Sequence, residues 1–455
     1  MKLIQLLSFS MLMICSSCDR FLDEKPDIKM VIPKTVNDCD LLLNDYTTLN
    51  MGYPACGEWG SDDYFLTKEN WESISNNDQR NAYIWADEPY TDVVQWQRPY
   101  KAVYLSNQVL ETLQALKEGY DDPLYQKVLG GAYFYRAFAF HQLIEVYAPA
   151  YEKEHAASEW GIPLRMGAGI DEVSIRASLE DSYKQVIADY KLAINKLPMQ
   201  ESRRGRPSRA AACAGIARVY LDMARYEDAY YYADSCLKLP SDLMDFNTLP
   251  ILNELPISRF NIEVLFSAVS TGAGPMAFNL AAVDSSLIDQ YDPEDIRKQI
   301  FFQPNQNVPE TYSFRGNYDN SYSQLFVGLT TSEVYLIKAE CLARTGSIDE
   351  AMNILNKVRK TRILADKYTA LTASTEEKAI EYIRLTKDNE MILTIVPFID
   401  ARRYNLDAKY ARTLTKVVDG KTLTLSPTSH LWTMPFPNGA VKNPGNGTIT
   451  QNVAK

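Results

Sequence analysis

Two stretches of the chain, Ala217–Ala229 and Ala339–Ala351, carry one pattern over thirteen residues. Each sets a small residue on one helix, a turn, an acidic pair and then an alanine on the next helix. Small residues at such spacing let two antiparallel helices approach closely, so the chain must build helix hairpins. Apolar spacing of i, i+3, i+4 extends this reading along the chain. It marks helices near 36–49, 97–116, 122–147, 178–196, 209–224, 227–238, 331–344 and 348–361. Ser178-Leu179-Glu180-Asp181 reads as a capping box, and Ser347-x-x-Glu350 and Ser374-x-x-Glu377 as two further helix starts. Paired in order, the helices give four hairpins: 36–49 with 97–116, 122–147 with 178–196, 209–224 with 227–238, and 331–344 with 348–361.

The thirteen-residue copies have tetratricopeptide geometry, with Tyr220, Ala233 and Pro240 near the places such a repeat expects. The copies are interrupted, so no plain tandem array is expected. Segments 51–92, 241–330 and 394–455 are rich in Asn, Gly, Pro, Tyr and Trp and read as long functional loops or a second layer. The first thirty residues read differently. Met1-Lys2 precedes the apolar run Leu3–Ile14, too short to cross a bilayer and typical of a signal peptide. Ser16-Ser17-Cys18 then resembles a bacterial lipobox, which makes residues 1–17 a signal peptide, Cys18 the lipidated residue and 18–30 a tether. Residues 31–455 form the folded domain.

At this point the sequence resembles the SusD/RagB family of nutrient-binding surface lipoproteins. Trp96-x-x-x-Tyr100-x-x-x-Tyr104-x-x-Asn107, Tyr133-Phe-Tyr-Arg136, Gly161-Ile-Pro-Leu164, Gly205-Arg206 and Ala217-Arg-Val-Tyr220 are similar to blocks of that family. So are Glu333-Val-Tyr-Leu-Ile-Lys-Ala-Glu340, Leu355-Asn-Lys-Val-Arg359, Asp400-Ala-Arg-Arg403, Met434-Pro435 and Gln451-Asn452. Lys387-Asp388 stands where the family carries a Glu-Arg pair, a departure that concerns local ion pairing. The resemblance implies a mostly α fold, a right-handed superhelix of four tetratricopeptide-like hairpins with a loop-rich variable half. It also implies capture of oligosaccharide, or of peptide in the RagB manner, for a SusC-like TonB-dependent β-barrel transporter that the protein caps as a lid. Attachment to the cell outer membrane would run through acylated Cys18, with the protein facing the exterior.

Composition bears on the alternatives. A net charge of −11 is wrong for nucleic acid, which needs a basic footprint. Three His and no G-x-S-x-G, H-E-x-x-H or P-loop leave little for catalysis or metals. No catalytic residue, metal site or cofactor is expected, and a glycoside hydrolase or a peptide-binding scaffold are the weaker readings. Cys39, Cys56, Cys213, Cys236 and Cys341 show no C-x-x-C pairing; the last three fall on apolar helix stripes. Sugars are held by aromatic platforms with amide, carboxylate and guanidinium partners. The stretch 64–85 is richest in these, and Trp71, set among Glu69, Asn70, Glu72 and Ser73, is the first expected platform. Tyr64, Asn70, Asn77, Asp78 and Trp85 join it, with Tyr291 from a second loop. Trp96, in helical register with Tyr100, reads as structural.

Overall fold

The computed structural model describes residues 33–452, apart from 88–89, 117–118, 170 and 204. The signal peptide, Cys18 and the tether lie outside the described residues. Helices α1 (Val36–Leu42) and α2 (Tyr46–Leu49) replace the single helix expected over 36–49. The break is local chemistry: the Asp45 carboxylate accepts the Thr48 N–H and starts a new helix. Segment 51–92 is less irregular than its composition suggests, because it holds α3 (Lys68–Ser73) and α4 (Asn77–Tyr83). Thr67 and Asn76 cap these two short helices with their side chains.

The long helices are α5 (Val94–Leu116), α6 (Pro123–Tyr147), α7 (Leu179–Lys196), α8 (Arg209–Asp222), α9 (Tyr226–Leu237), α10 (Thr331–Arg344) and α11 (Ile348–Lys360). Each packs on the next in chain order, while α1 and α2 pack on α5. Helix α12 (Glu376–Glu390) lies on α10 and α11, and α13 (Val396–Tyr404) and α14 (Asn438–Lys442) punctuate the C-terminal segment. The fold is mostly helical, and no helix of the described residues is long and apolar enough to cross a membrane.

The two repeat copies turn in the same way. The Arg225 N–H reaches the Tyr220 carbonyl (2.9 Å) and the Ser347 N–H reaches the Leu342 carbonyl (2.8 Å). These are Schellman closures with a left-handed residue before them, Ala224 (φ 52°) and Gly346 (φ 87°). Held in this closure, Ser347 makes no side-chain cap, contrary to the sequence reading. The later start is shifted as well: Thr375 caps α12 by accepting the Lys378 N–H, so Ser374 and Glu377 are not the box. At α7 Ser178 caps as read, accepting from the Asp181 N–H at 3.0 Å.

Strands are short. β1 (Met51–Tyr53) pairs parallel with β5 (Val269–Ser270), and β4 (Val264–Phe266) pairs with β8 (Leu329–Thr330). β6 (Phe302–Pro304) pairs with β7 (Tyr312–Phe314), and β9 (Leu414–Val418) forms a hairpin with β10 (Lys421–Leu425). One sheet has three strands, with β3 (Val173–Ser178) between antiparallel β2 (Trp160–Pro163) and parallel β11 (Asn446–Thr448).

Buried ion pairs pin the helices to one another. Arg136 on α6 makes a two-pronged bond to Asp189 on α7 (2.7 Å for each prong). Arg218 on α8 does the same to Glu333 on α10 (2.7 and 2.6 Å), and Arg403 on α13 to Glu340 on α10 (2.6 and 2.9 Å). Asp400 bridges Arg403 (3.0 Å) and Lys387 of α12 (2.7 Å), so the Lys387 departure keeps an ion pair there. Arg362, fully buried, lies between Glu263 and Glu390. Cys39, Cys56, Cys213, Cys236 and Cys341 are all free and buried.

Two measurements follow from this packing. A Cβ at Gly215 of α8 would fall 2.5 Å from Cζ of Tyr190 on α7. Alanine gains about 1 kcal/mol of helix propensity, but displacing a fully packed ring costs about 1–3 kcal/mol. Gly215→Ala is therefore expected to lower the melting midpoint, and a rise would mean that α7 yields. The second concerns Glu390. Burial would raise its pKa, but Arg362 and Arg297 outweigh burial and hold it at about 2, below its ordinary 4.5. Its ionised form thus stabilises the fold above about pH 4.5, and that contribution is lost as pH falls toward 2. Glu390→Gln should cost about 3–5 kcal/mol at neutral pH. In denaturant titrations the gap to wild type should close through that acid window; a gap independent of pH would show that Glu390 is not ionised in the fold.

Candidate functional site

The residues expected to hold a ligand do not surround one opening. Tyr64 is 3% exposed and donates its hydroxyl to the Trp59 carbonyl (2.6 Å). Tyr291 is likewise 3% exposed, with its hydroxyl on the Asn389 carbonyl (2.9 Å). Both expectations are corrected: these rings are core, since neither offers a free face. Asp78 is buried and receives the Thr91 N–H (2.7 Å), which ties α4 to the segment leading into α5. Trp85 sits half-buried in a left-handed conformation (φ 54°), its indole N–H on the Gly60 carbonyl (3.0 Å). Beneath it is a narrow pocket of about 30 Å³, room for a water or two.

A buried lysine explains why these rings turn inward. Lys416 of β9 lies 4.0 Å from the Tyr83 ring centre and 5.2 Å from those of Tyr64 and Trp85. Burial pushes its pKa down to about 7, against the pull of Asp62, Glu58 and Asp63. The aromatic faces thus solvate a cation instead of presenting themselves to solvent. Trp71 is half-buried on α3, its indole N–H directed at the Arg80 carbonyl (3.4 Å) across to α4. Asn70 donates to the Leu280 carbonyl (2.8 Å), and Asn77 is exposed and accepts from Arg80.

Trp160 does stand free, 50% exposed at the start of β2. It borders a cleft of about 520 Å³ whose wall includes Asp87, Glu152, Glu159, Asn405 and His430, with Trp432 behind them. The His430 ring nitrogen lies 3.2 Å from Asp87. Asn405 accepts the Arg412 N–H, while its Nδ2 has no hydrogen-bond partner among the described residues. Arg176 of β3 sets the position of Trp160. Its guanidinium donates to the carbonyls of Trp160, Gly161 and Thr450 (2.9, 2.8 and 3.0 Å) and lies over the Phe436 ring. Burial lowers the Arg176 pKa to about 10.

The cleft floor is latched by the C-terminal motif residues. Gln451 exchanges two bonds with the Phe436 backbone (2.7 and 2.8 Å), and Asn452 donates to the carbonyls of Tyr147 and Met434 (2.8 Å each). Trp160 went unassigned at the sequence level. The signal was present, a Trp between Glu159 and Gly161 just after the polar run 152–159, but it lay outside the loops richest in aromatics.

One cluster has the donor set of a cation site. His141, Glu145 and Asp222 place ligand atoms within 4.8 Å of one another, all buried. Direct contacts already account for it: the His141 ring nitrogen lies 2.8 Å from Asp222 and 3.5 Å from Glu145. Burial favours neutral imidazole, but Glu145 and Asp222 outweigh burial and raise the His141 pKa. Arg218 and Arg402 stand close to the same carboxylates and supply the compensating charge. The arrangement joins α6 to α8 as a charge network.

Comparison with known proteins now bears on the fold. A SusD-like family model described as "Starch-binding associating with outer membrane" matches residues 20–221, and a SusD family model matches residues 298–453. SusD-like protein P2 of Formosa agariphila is 27% identical over 134 residues, 30% of this chain and 25% of that protein. The match thus spans about a quarter of that relative's length. Among solved structures, a SusD superfamily protein from Bacteroides thetaiotaomicron superposes with a TM-score of 0.74 at 18% identity, over 92% of this chain and 100% of its own. Surface glycan-binding protein A from the same species, solved with laminarihexaose, gives 0.68 at 16% identity, over 92% and 98%. The two solved structures share this helical framework, and with two SusD family matches falling on the two ends of the chain, it belongs to the SusD/RagB family.

Proposed function

We propose that this protein captures glycans at the cell surface and that the Trp160 cleft is where it holds them. The observation that carries the reading is one large ring, half exposed, beside a cleft walled by carboxylate, amide and imidazole groups. An indole face suits the C–H face of a pyranose, and the polar wall suits its hydroxyls. Glu152, Glu159 and Asp87 share this wall with Arg176, Arg402 and His430, a mixed set of donors and acceptors that suits the hydroxyls of a neutral sugar. The protein acts without catalysis: it binds, releases and hands the glycan to a SusC-like TonB-dependent barrel, over which it sits as a lid. Acylated Cys18 anchors it to the outer membrane, several acyl chains providing stable attachment. Family membership and the resemblance to a glycan-bound relative support this reading.

Calorimetric titration of neutral hexasaccharides such as laminarihexaose and maltohexaose tests the site. Trp160→Ala is expected to weaken a bound neutral glycan by about tenfold or more, as loss of a central aromatic anchor does. Trp71→Ala should stay within about twofold; the reverse pattern would move the site to α3. Anchoring is checked by fractionation: Cys18→Ser should abolish acyl labelling and release the protein from the membrane fraction. A tagged wild-type protein should co-purify with a β-barrel partner from detergent-solubilised outer membranes.

A further inference from the structure

A second open cleft lies farther along β3, lined by Ser174 where Arg176 lines the first. Its volume is about 680 Å³. The first turns of α5 form one wall, and residues 163–167 with the α14–β11 segment form the other. Trp96, Tyr100 and Tyr104 line it at i, i+4 spacing, grading from floor to rim. Trp96 is buried against Tyr147 and Phe436, Tyr100 is half-buried with its hydroxyl on the Pro163 carbonyl (2.8 Å), and Tyr104 is 43% exposed.

The charges of this wall have one sign. Lys101 and Arg165 line it, and no carboxylate does so among the described residues, in a chain of net charge −11. Lys101 is exposed and has no ion-pair partner among the described residues. Arg165 is held in place, donating to Ser174 Oγ (3.0 Å) and the Gly169 carbonyl (2.8 Å), with Glu172 at 4.0 Å on its other side. Beyond those two bonds, and with Nε facing Glu172, one N–H on each terminal nitrogen of the guanidinium remains. Lys101 and Tyr104 are three apart on α5, hence neighbours on its surface, about 5–6 Å between Cβ atoms. One sugar ring stacked on Tyr104 therefore carries its substituents within reach of the ammonium. A neutral ligand filling this cleft would strip water from Lys101 without replacing it; an anionic one supplies the missing partner.

We propose that this cleft binds an acidic oligosaccharide, stacking a ring on Tyr104 and holding its anionic substituent with Lys101 and Arg165. This site is separate from the Trp160 cleft, whose wall carries both signs of charge.

The test titrates the full-length mature protein with tetragalacturonate, a sulfated carrageenan tetrasaccharide and maltotetraose. Carboxylate and sulfate esters share the required charge, and the first two arms tell them apart. Wild type should bind at least one anionic tetrasaccharide, with affinity falling as salt rises. Lys101→Gln should weaken that binding by about tenfold, as loss of a charge-assisted hydrogen bond does, and Tyr104→Ala by about fivefold. Both positions are exposed, so neither change should unfold the protein; a circular dichroism melt verifies this. Trp160→Ala should leave anionic binding unchanged, which separates failure here from failure of the neutral-glycan site. No binding of either anionic ligand, equal binding of maltotetraose, or an unaffected Lys101→Gln variant would overturn the proposal.

Discussion

Charge buried between helices is the constraint on which the structure depends. A guanidinium or carboxylate taken from water costs several kcal/mol unless its partner stands in bonding geometry. Arg136–Asp189, Arg218–Glu333 and Arg403–Glu340 each cross from one helix to another, and each is two-pronged. Such a pair fixes rotation as well as distance, because a slide of either helix leaves an unpaired charge in the core. Small residues set how near the helices come; the ion pairs set which turn of one meets which turn of the next. Tyr190 against Gly215 shows the first device, and Arg218 one turn along the same helix shows the second.

The same economy shapes the surface that meets ligand. Arg176 is bonded to three backbone carbonyls, two from β2 and one from the C-terminal segment, and Gln451 and Asn452 latch that segment to Phe436 and Met434. The three-stranded sheet thus serves both clefts from one strand, with Ser174 in one and Arg176, two positions along β3, in the next. Strand residues two apart share a face about 7 Å along. Two clefts so close together, one of mixed charge and one basic, let one extended, unevenly charged glycan address both, or two glycans bind independently.

Much of the helical framework was legible in the sequence, and for reasons that particular residues make plain. The spacing of apolar positions marked the long helices, Ser178 its cap, and the two thirteen-residue copies the identical Schellman turns at Ala224 and Gly346. The motif residues Arg136, Asn107, Glu333, Glu340, Gln451 and Asn452 proved to be structural partners of one another or of nearby backbone. The short helices α3 and α4 were not legible, because six or seven residues show less than two turns of periodicity. The expectation at Tyr64 failed for a different reason. A run of aromatic and polar residues states what a segment could contact, and Lys416, more than three hundred positions away, decided that Tyr64 and Trp85 would face inward.

By itself the sequence determined the helical class, the close-packed hairpins and the family, since those depend on periodicity and short-range spacing. Which aromatics are exposed, and where the charges gather, was decided only by tertiary structure. Exposure depends on what distant segments cover: Lys416 draws in one set of rings, while Arg176 and the C-terminal latch leave Trp160 standing at a cleft. No local pattern encodes either outcome, because the atoms that decide it come from opposite ends of the chain.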